Sequence, residues 1–312
     1  VTDMPGGVDL DLSLAREMRS AGARLLSLVR TLFWKQTYRE IAAFGPRGID
    51  PRKIAAVIVR GARWRRAYRW ARRRLVQAEG VIVYTWWATP PSFGIAQAAY
   101  ERGVPSLTRI HGYDLYPEQD RLGRIPYQAH GLSHFTQIHP VSKHGYHYLL
   151  ERYPQLAHAL RQSYLGVDPA PGPGDSSSDG VFRVLSCSSC DANKRVDLIA
   201  RCMALLSNTH PEIAFTWTHI GDGPTLDEVR RIIAQQPPLA LRCQLKGALP
   251  NDAVRDLMAT SPFDLFVNLS RSEGLPVTLM EAISCGIPLL TSDVGGSSEV
   301  VLPAHGRLVS AD

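Results

Sequence analysis

The chain has 312 residues, long enough for two domains of ordinary size. Its 45% apolar and 21% charged residues are those of a soluble globular protein, and no run approaches the roughly 18–20 apolar residues of a membrane-spanning helix. The net charge of +6 hides an asymmetry: residues 1–165 hold 24 basic and 12 acidic side chains and the remainder 11 and 17, which predicts two modules with different partners.

No cleavable signal peptide is visible at the start, and the chain begins with Val rather than Met, so its natural N-terminus is expected to be absent. Pro5-Gly6-Gly7 opens the chain as a turn. A helix is predicted from Val8 to Ser20, where Leu10, Leu14 and Met18 are spaced by four. Residues 52–75 are the most basic part, with Arg60, Arg63, Arg65, Arg66, Arg69, Arg72, Arg73 and Arg74. Trp64, Ala67, Tyr68, Ala71 and Leu75 form an apolar stripe at helical spacing, so this is a basic amphipathic helix. Three readings stay open for it: a helix on an anionic membrane surface, a helix packed by its aromatic stripe with a solvated outer face, or a nucleic-acid surface that no recognition motif supports.

Val81-Ile82-Val83-Tyr84 reads as a short buried strand, Pro90-Pro91 as a break, and Ala96 to Glu101 as helix. Pro105 to Ile110 is the next strand, ending on His111-Gly112-Tyr113-Asp114. Residues just beyond strand C-termini face the ligand crevice of an open α/β sheet, so His111 is a candidate site residue. His130, His134, His139, His144 and His147 match no zinc spacing. Ile138 to Ser142 reads as a strand, followed by a helix to Tyr153. Pro169 to Gly180 is rich in Pro, Gly, Ser and Asp and reads as a flexible connection. The expected domains are therefore residues 1–167 and 181–312, joined by a linker over 168–180.

The second domain alternates strand and helix, which means a parallel sheet. Val181 to Ser186 is a strand, and Lys194-Arg195-Val196-Asp197 opens a helix to about Leu206. Cys187 and Cys190 lie in the loop between them with no second pair at zinc spacing. The five cysteines are an odd, scattered set, which suggests a reducing compartment. Ala214 to Ile220 is a strand ending in Gly221-Asp222-Gly223-Pro224, with a helix from Thr225 to Ala234. Leu245-Lys246-Gly247 and a helix from about Asn251 to Ala259 form another repeat.

The most informative stretch follows. Asp264 to Leu269 is strand-like, Ser270 to Pro276 is a loop, a helix stops near Gly286, and Ile287 to Leu290 is a second apolar run. Pro276 suits the first helical turn and Gly286 the position past the helix end. Such a loop aims backbone N–H groups outward from a helix start, which favours an anion such as phosphate. Glu273 and Glu281 flank that point and fall on nearly the same side. Phosphate and hydroxyl recognition together suit a sugar nucleotide.

Glu273-Gly274-Leu275-Pro276-x4-Glu281-Ala282, then Cys285-Gly286-Ile287-Pro288 and Gly295-Gly296-x2-Glu299, resembles the retaining glycosyltransferases of family 4. The resemblance is dense over residues 181–310, patchier over 81–168 and weak before 80. It implies the GT-B fold, α/β, with two Rossmann-like domains whose parallel sheets face across a cleft. It implies that Lys194 holds the donor diphosphate, that Glu281 bonds the ribose, and that Glu273 contacts the sugar hydroxyls. Gly221, Gly223, Gly274, Leu275 and Pro276 would complete the donor site, and His111 would line the sugar pocket from the first domain. Family members commonly carry Arg five residues before the lysine. Here that position is Ser189, so either Arg195 substitutes or the diphosphate leans harder on Lys194 and the helix start.

The function implied is sugar transfer from a nucleotide-sugar donor to a glycan or lipid-linked acceptor in polysaccharide or envelope glycan synthesis. No metal or other cofactor and no nucleic acid is expected, and the enzyme is expected in the cytoplasm, peripheral on the inner membrane face through residues 60–75. The rivals are a GT-B-type sugar-nucleotide epimerase and a non-catalytic membrane- or nucleic-acid-binding protein on a decayed scaffold. The family usually continues with further helices, so truncation is expected at both ends.

Overall fold

The structure is a computed structural model that describes residues 14, 18–77, 80–170, 172, 174–235 and 241–311. The expected Pro5-Gly6-Gly7 turn and most of the Val8 to Ser20 helix lie outside those residues. The chain divides into two compact units. One runs up to Pro140 and adds Tyr146–Gln162, and the other takes Val141–Gly145 and everything from Ser163 onward.

The first unit contains α1 (Ala21–Leu32), α2 (Lys35–Ala42), α3 (Pro51–Arg74), β1 (Val83–Thr85), α4 (Pro90–Tyr100), β2 (Ser106–Ile110), α5 (Gly112–Leu115), α6 (Gln128–Leu132) and β3 (Gln137–Pro140). Helix α7 (Lys143–Arg152) straddles the division. The three strands form a parallel sheet in the order β1-β2-β3. Asp50 starts α3 by accepting the Lys53 N–H at 2.9 Å, and Pro51 occupies the first turn, where no N–H is needed.

Helix α3 packs tightly on α4 because Gly94 has no side chain: a Cβ there would stand 2.2 Å from the Trp64 carbonyl oxygen. Val57, Trp64, Ala67 and Ala71 are buried as a stripe predicts, whereas Tyr68 and Leu75 are only partly covered. The basic face is not all solvated. Arg66 is 5% exposed and donates to the Met18 carbonyl at 3.0 Å, and Arg69 donates to Ser27 Oγ at 2.7 Å. Arg63, Arg72, Arg73 and Arg74 are the exposed remainder.

Two sequence expectations change here. The strand expected as buried over Val81 to Tyr84 is a three-residue strand, and Ile82 and Tyr84 are exposed, because among the described residues β1 has a sheet neighbour on one side only. Pro90-Pro91 does not break a helix but opens α4, for the same reason that Pro51 opens α3.

His130 and His134 belong to an aromatic cluster. The His130 ring stacks on Trp64 at 5.2 Å with 10° between planes, and His134 meets the same ring edge-on at 5.8 Å. Burial pushes His130 down to about 4.

The second unit contains β4 (Val181–Cys187), α8 (Val196–Thr209), β5 (Ala214–Ile220), α9 (Leu226–Ala234), β6 (Leu241–Leu245), α10 (Asn251–Thr260), β7 (Leu265–Asn268), α11 (Val277–Ser284), β8 (Leu289–Ser292), α12 (Ser297–Val300) and β9 (Gly306–Val309). Its sheet is parallel with the order β6-β5-β4-β7-β8-β9. Strand order reverses between β4 and β7, so their C-terminal ends form the crevice where an open α/β sheet takes a ligand.

The Pro-, Gly- and Ser-rich stretch predicted as a flexible linker is tied to this second unit. Ala170 N–H donates to Ser284 Oγ at 2.6 Å, Gly174 N–H to the Cys285 carbonyl at 2.8 Å, and Ser177 Oγ to Asp264 Oδ2 at 2.6 Å. Short polar side chains that favour turns also bond neighbouring backbone, so composition alone does not separate a loose linker from a laced one.

The His130 environment generates a stability prediction. Its folded pKa lies below the ordinary histidine value, so the unfolded chain binds more protons between pH 6.5 and about 4. Stability is therefore fully present above pH 6.5 and is lost as pH falls through that window. Thermal melts of the wild type and His130→Phe between pH 7.5 and 4.5 should show a smaller acid-side loss in the variant.

Candidate functional site

The crevice at the β4–β7 switch point is built from two loops. After β4, Asp191 Oδ1 accepts the N–H groups of Asn193 and Lys194 at 2.9 and 3.0 Å, and Ser189 Oγ donates to Asp191 Oδ2 at 2.7 Å. That turn presents Lys194 just before α8 begins. After β7, Asn193 fastens the second loop to the first: its Nδ2 donates to the Ser272 carbonyl at 3.0 Å, and its carbonyl accepts the Arg271 N–H at 2.8 Å.

The result is a direct ion pair. Lys194 Nζ lies 2.6 Å from Glu273 Oε1, with the lysine side chain 24% and the carboxylate side chain 8% exposed. Asn268 Nδ2 adds a bond to the same Oε1 at 3.2 Å. Sequence spacing named both ends of this pair but not their contact, because they lie 79 positions apart.

Glycines at the second loop permit close backbone packing. Gly295 has φ +54°, and a Cβ there would stand 1.8 Å from the Glu273 carbonyl oxygen. Gly296 donates its N–H to the Gly274 carbonyl at 3.1 Å. Gly274, Leu275 and Pro276 are accordingly buried, held from behind by this glycine pair. Helix α11 starts at Val277 with Pro276 as its cap residue, one position later than the sequence suggests, and Gly286 follows its end with φ +73°.

Glu281 projects from α11 and is 7% exposed, and its Oε1 accepts Asn251 Nδ2 from α10 at 2.9 Å. Asn193, Asn251 and Asn268 are the residues that sequence reading missed. Amides carry no spacing signal, and only the fold brings them to the carboxylates.

The Gly221-x-Gly223 turn leans on the first loop. Gly221 has φ +146° and Gly223 φ +154°, and Cβ atoms there would meet the Ser188 and Cys190 carbonyl oxygens at 1.8 and 2.3 Å. Cys190 is buried with its Sγ 3.2 Å from His219 Nε2, and burial pushes its thiol up to about 11. Neither Cys190 nor Cys187 is an activated nucleophile.

The suggestion that Arg195 replaces the missing arginine is overturned. Arg195 turns inward, with Nε donating to the Leu269 carbonyl at 2.5 Å, Nη1 to the Ala311 carbonyl at 2.7 Å and Nη2 to Ser292 Oγ at 3.2 Å. It fixes the end of β7, while Lys194 meets the Glu273 carboxylate.

His111 belongs to the first unit, at the C-terminal end of β2 as predicted. Trp87 packs on its ring at 4.2 Å and Trp86 at 5.5 Å. Its backbone N–H donates to Asp114 Oδ1 at 2.6 Å, and Ala88 N–H donates to Asp114 Oδ2 at 2.6 Å. Burial pushes Asp114 up to about 7 against the pull of those N–H groups. Both ring nitrogens of His111 are buried without a hydrogen-bond partner among the described residues, and burial pushes the ring down to about 4. It is therefore a neutral imidazole at physiological pH, able to donate from one nitrogen and accept at the other.

Among the described residues, no group of three or more His, Cys, Asp or Glu side chains is placed to hold a metal ion.

Residues 182–312 match the family model described as glycosyl transferases group 1. The second unit is similar to these transferases. The chain is also similar to the phosphatidylinositol N-acetylglucosaminyltransferase GPI3 subunit of Saccharomyces cerevisiae, at 29% identity over 134 residues, or 43% of this chain. The match spans 28% of the length of that relative.

Among solved structures, a TarM variant of S. aureus in complex with fondaparinux, alpha-GlcNAc-glycerol and UDP superposes with a TM-score of 0.64 at 16% identity, covering 79% of this chain and 48% of TarM. HepE of Anabaena in complex with UDP-glucose gives 0.59 at 17% identity, covering 78% of this chain and 68% of HepE. The fold is thus that of the GT-B glycosyltransferases: two Rossmann-like units, each with a parallel sheet.

The Lys194–Glu273 contact makes a measurable claim. Removing one partner leaves the other in a largely buried site, so Lys194→Met and Glu273→Gln should each destabilise the protein while the double variant recovers part of the loss. A double-mutant cycle by chemical denaturation should return a coupling of about 0.5–3 kcal/mol. Additivity would show that the pair does not act as a unit.

Proposed function

We propose that the chain is the catalytic core of a retaining, metal-independent glycosyltransferase that moves a sugar from a nucleotide-sugar donor to a glycan or lipid-linked acceptor. The observation that carries this reading is the Lys194–Glu273 pair at the switch point, beside the start of α11. An ammonium and a helix N-terminus suit a diphosphate, and the carboxylates suit hydroxyls. In this reading Lys194 exchanges its bond to Glu273 for the donor phosphates, which frees Glu273 for the sugar hydroxyls. Negative charge then develops on the leaving diphosphate, and Lys194 with the helix start stabilises it without a metal. Glu281, steadied by Asn251, keeps Oε2 for the ribose.

The first unit takes the acceptor, with the neutral His111 ring and the walls of Trp86 and Trp87 offering a surface on which a sugar can stack. The likeness to a phosphatidylinositol N-acetylglucosaminyltransferase subunit, and the UDP and UDP-glucose bound in TarM and HepE, support a uridine nucleotide and a lipid-linked acceptor as the first candidates. The exposed Arg63, Arg72, Arg73 and Arg74 support attraction to an anionic membrane surface, at about 1 kcal/mol for each residue near such a surface.

Calorimetry with UDP and with uridine tests the assignment of Lys194. Lys194→Ala should weaken UDP binding and leave uridine nearly unchanged, and an equal change in both would remove Lys194 from the diphosphate. A donor-hydrolysis assay, which needs no acceptor, separates the carboxylates. Glu281→Gln should weaken UDP binding, because a charge-assisted bond is worth roughly 1.5–3 kcal/mol. Glu273→Gln should lower turnover of the donor while UDP affinity stays nearly intact. The reverse pattern would exchange the two roles.

A further inference from the structure

The first unit holds a second charged cavity that the transfer reaction does not use. It measures about 360 Å³ and lies between α1, α3 and α4, with Arg30, Arg65, Arg69 and Arg72 in its lining. That volume falls in the lower part of the ~300–1,000 Å³ range of small-molecule sites. Trp34, Trp64 and Tyr68 form its aromatic wall, and Gln97 adds an amide. The Arg65 guanidinium lies over the Trp34 ring, 5.7 Å from its centroid.

Its charge is one-sided. None of the residues lining the cavity is acidic. Among the described residues, no carboxylate forms an ion pair with Arg30 or Arg65. The neighbouring carboxylate, Glu101 on α4, is engaged by Tyr68 Oη at 2.6 Å and by Gln97 Nε2 at 3.1 Å. Burial and the repulsion of Arg30 and Arg69 hold Arg65 below the ordinary arginine value. Arginines crowded on one another in a half-covered cavity repel, and an anion among them relieves that repulsion.

We propose that this cavity is a binding site for a phosphate group, held by Arg30 and Arg65 with Arg72 at its mouth. Arginine suits the role because its planar fork can bond two phosphate oxygens at once. Arg69, which already donates to Ser27 Oγ at 2.7 Å, holds the wall between α1 and α3 and contributes charge. The phosphate can arrive free in solution or as part of a lipid headgroup. The site stands independently of the donor reading, since none of its residues lies in the second unit.

The test titrates the whole chain with inorganic phosphate by calorimetry, and separately cosediments it with phosphatidylcholine vesicles with and without phosphatidic acid. Saturating UDP is present throughout, so that phosphate does not report on the Lys194 loop. Arg30→Gln/Arg65→Gln should weaken phosphate or phosphatidic-acid binding at least tenfold, with UDP affinity unchanged. Arg72→Gln, at an exposed position, should weaken it less, and it keeps the comparison valid if the double variant melts early. Binding of phosphate alone identifies a soluble ligand, and binding of vesicles only with phosphatidic acid identifies a lipid headgroup; either supports the site. Failure of the wild type to bind both probes, or equal binding by the variants, would overturn it. Loss of UDP binding with phosphate binding intact would count against the donor reading alone.

Discussion

The second unit depends on one contact between distant loops. Lys194 and Glu273 meet at 2.6 Å in a site where the carboxylate is almost wholly covered. A buried carboxylate without a charged partner is costly, so without ligand the ammonium from the loop after β4 stabilises the loop after β7 in this form, with Asn268 adding a bond to the same oxygen. Everything nearby serves that meeting. Asp191 shapes the first loop, Asn193 ties it to the second, Arg195 pins the end of β7, and Gly295 and Gly296 let the backbone close behind Glu273. A pair that is satisfied without ligand and can be exchanged for one is a suitable resting state for a site that takes a charged donor.

The first unit answers to a different constraint. Helix α3 carries too many arginines to be buried whole and too many aromatic residues to be exposed whole. The fold divides the helix. Gly94 lets α4 approach the Trp64 face, while on another face the Met18 carbonyl takes Arg66 and Ser27 of α1 takes Arg69. The same arrangement gathers Arg30 and Arg65 around a cavity with the exposed Arg72 at its mouth, and leaves Arg63, Arg73 and Arg74 in solvent. The histidine-rich stretch likewise turns out to be aromatic packing at His130 and His134.

Much of the donor half was legible because its chemistry is local. A strand, a loop with glutamate and glycine, a proline-capped helix and a glycine stop are written in consecutive residues, and local backbone preference decides each of them. Strands β4 and β5 were readable for the same reason, as short apolar runs between turn signals. The roles of neutral residues were not readable. Asn193, Asn251 and Asn268 have no periodicity, and β9 is a four-residue strand whose place depends on β8 beside it. Arg195 shows the limit most plainly: its position in the sequence suited a phosphate, and its inward turn at φ +48° gave it to backbone carbonyls instead.

By itself, then, the sequence determined the alternation of strand and helix, the charge division between the two halves, and the residue types gathered in the 270–282 loop and helix. It could do so because hydrophobic period, capping and turn chemistry act over a few residues. Only the tertiary structure decided which charges meet. The strand order that sets β4 beside β7 converts a separation of 79 residues into a 2.6 Å ion pair, and the packing of α1 on α3 decides which arginines bond the fold and which line a cavity. Electrostatic partners are chosen by distance in space, and the chain has no local means of recording that distance.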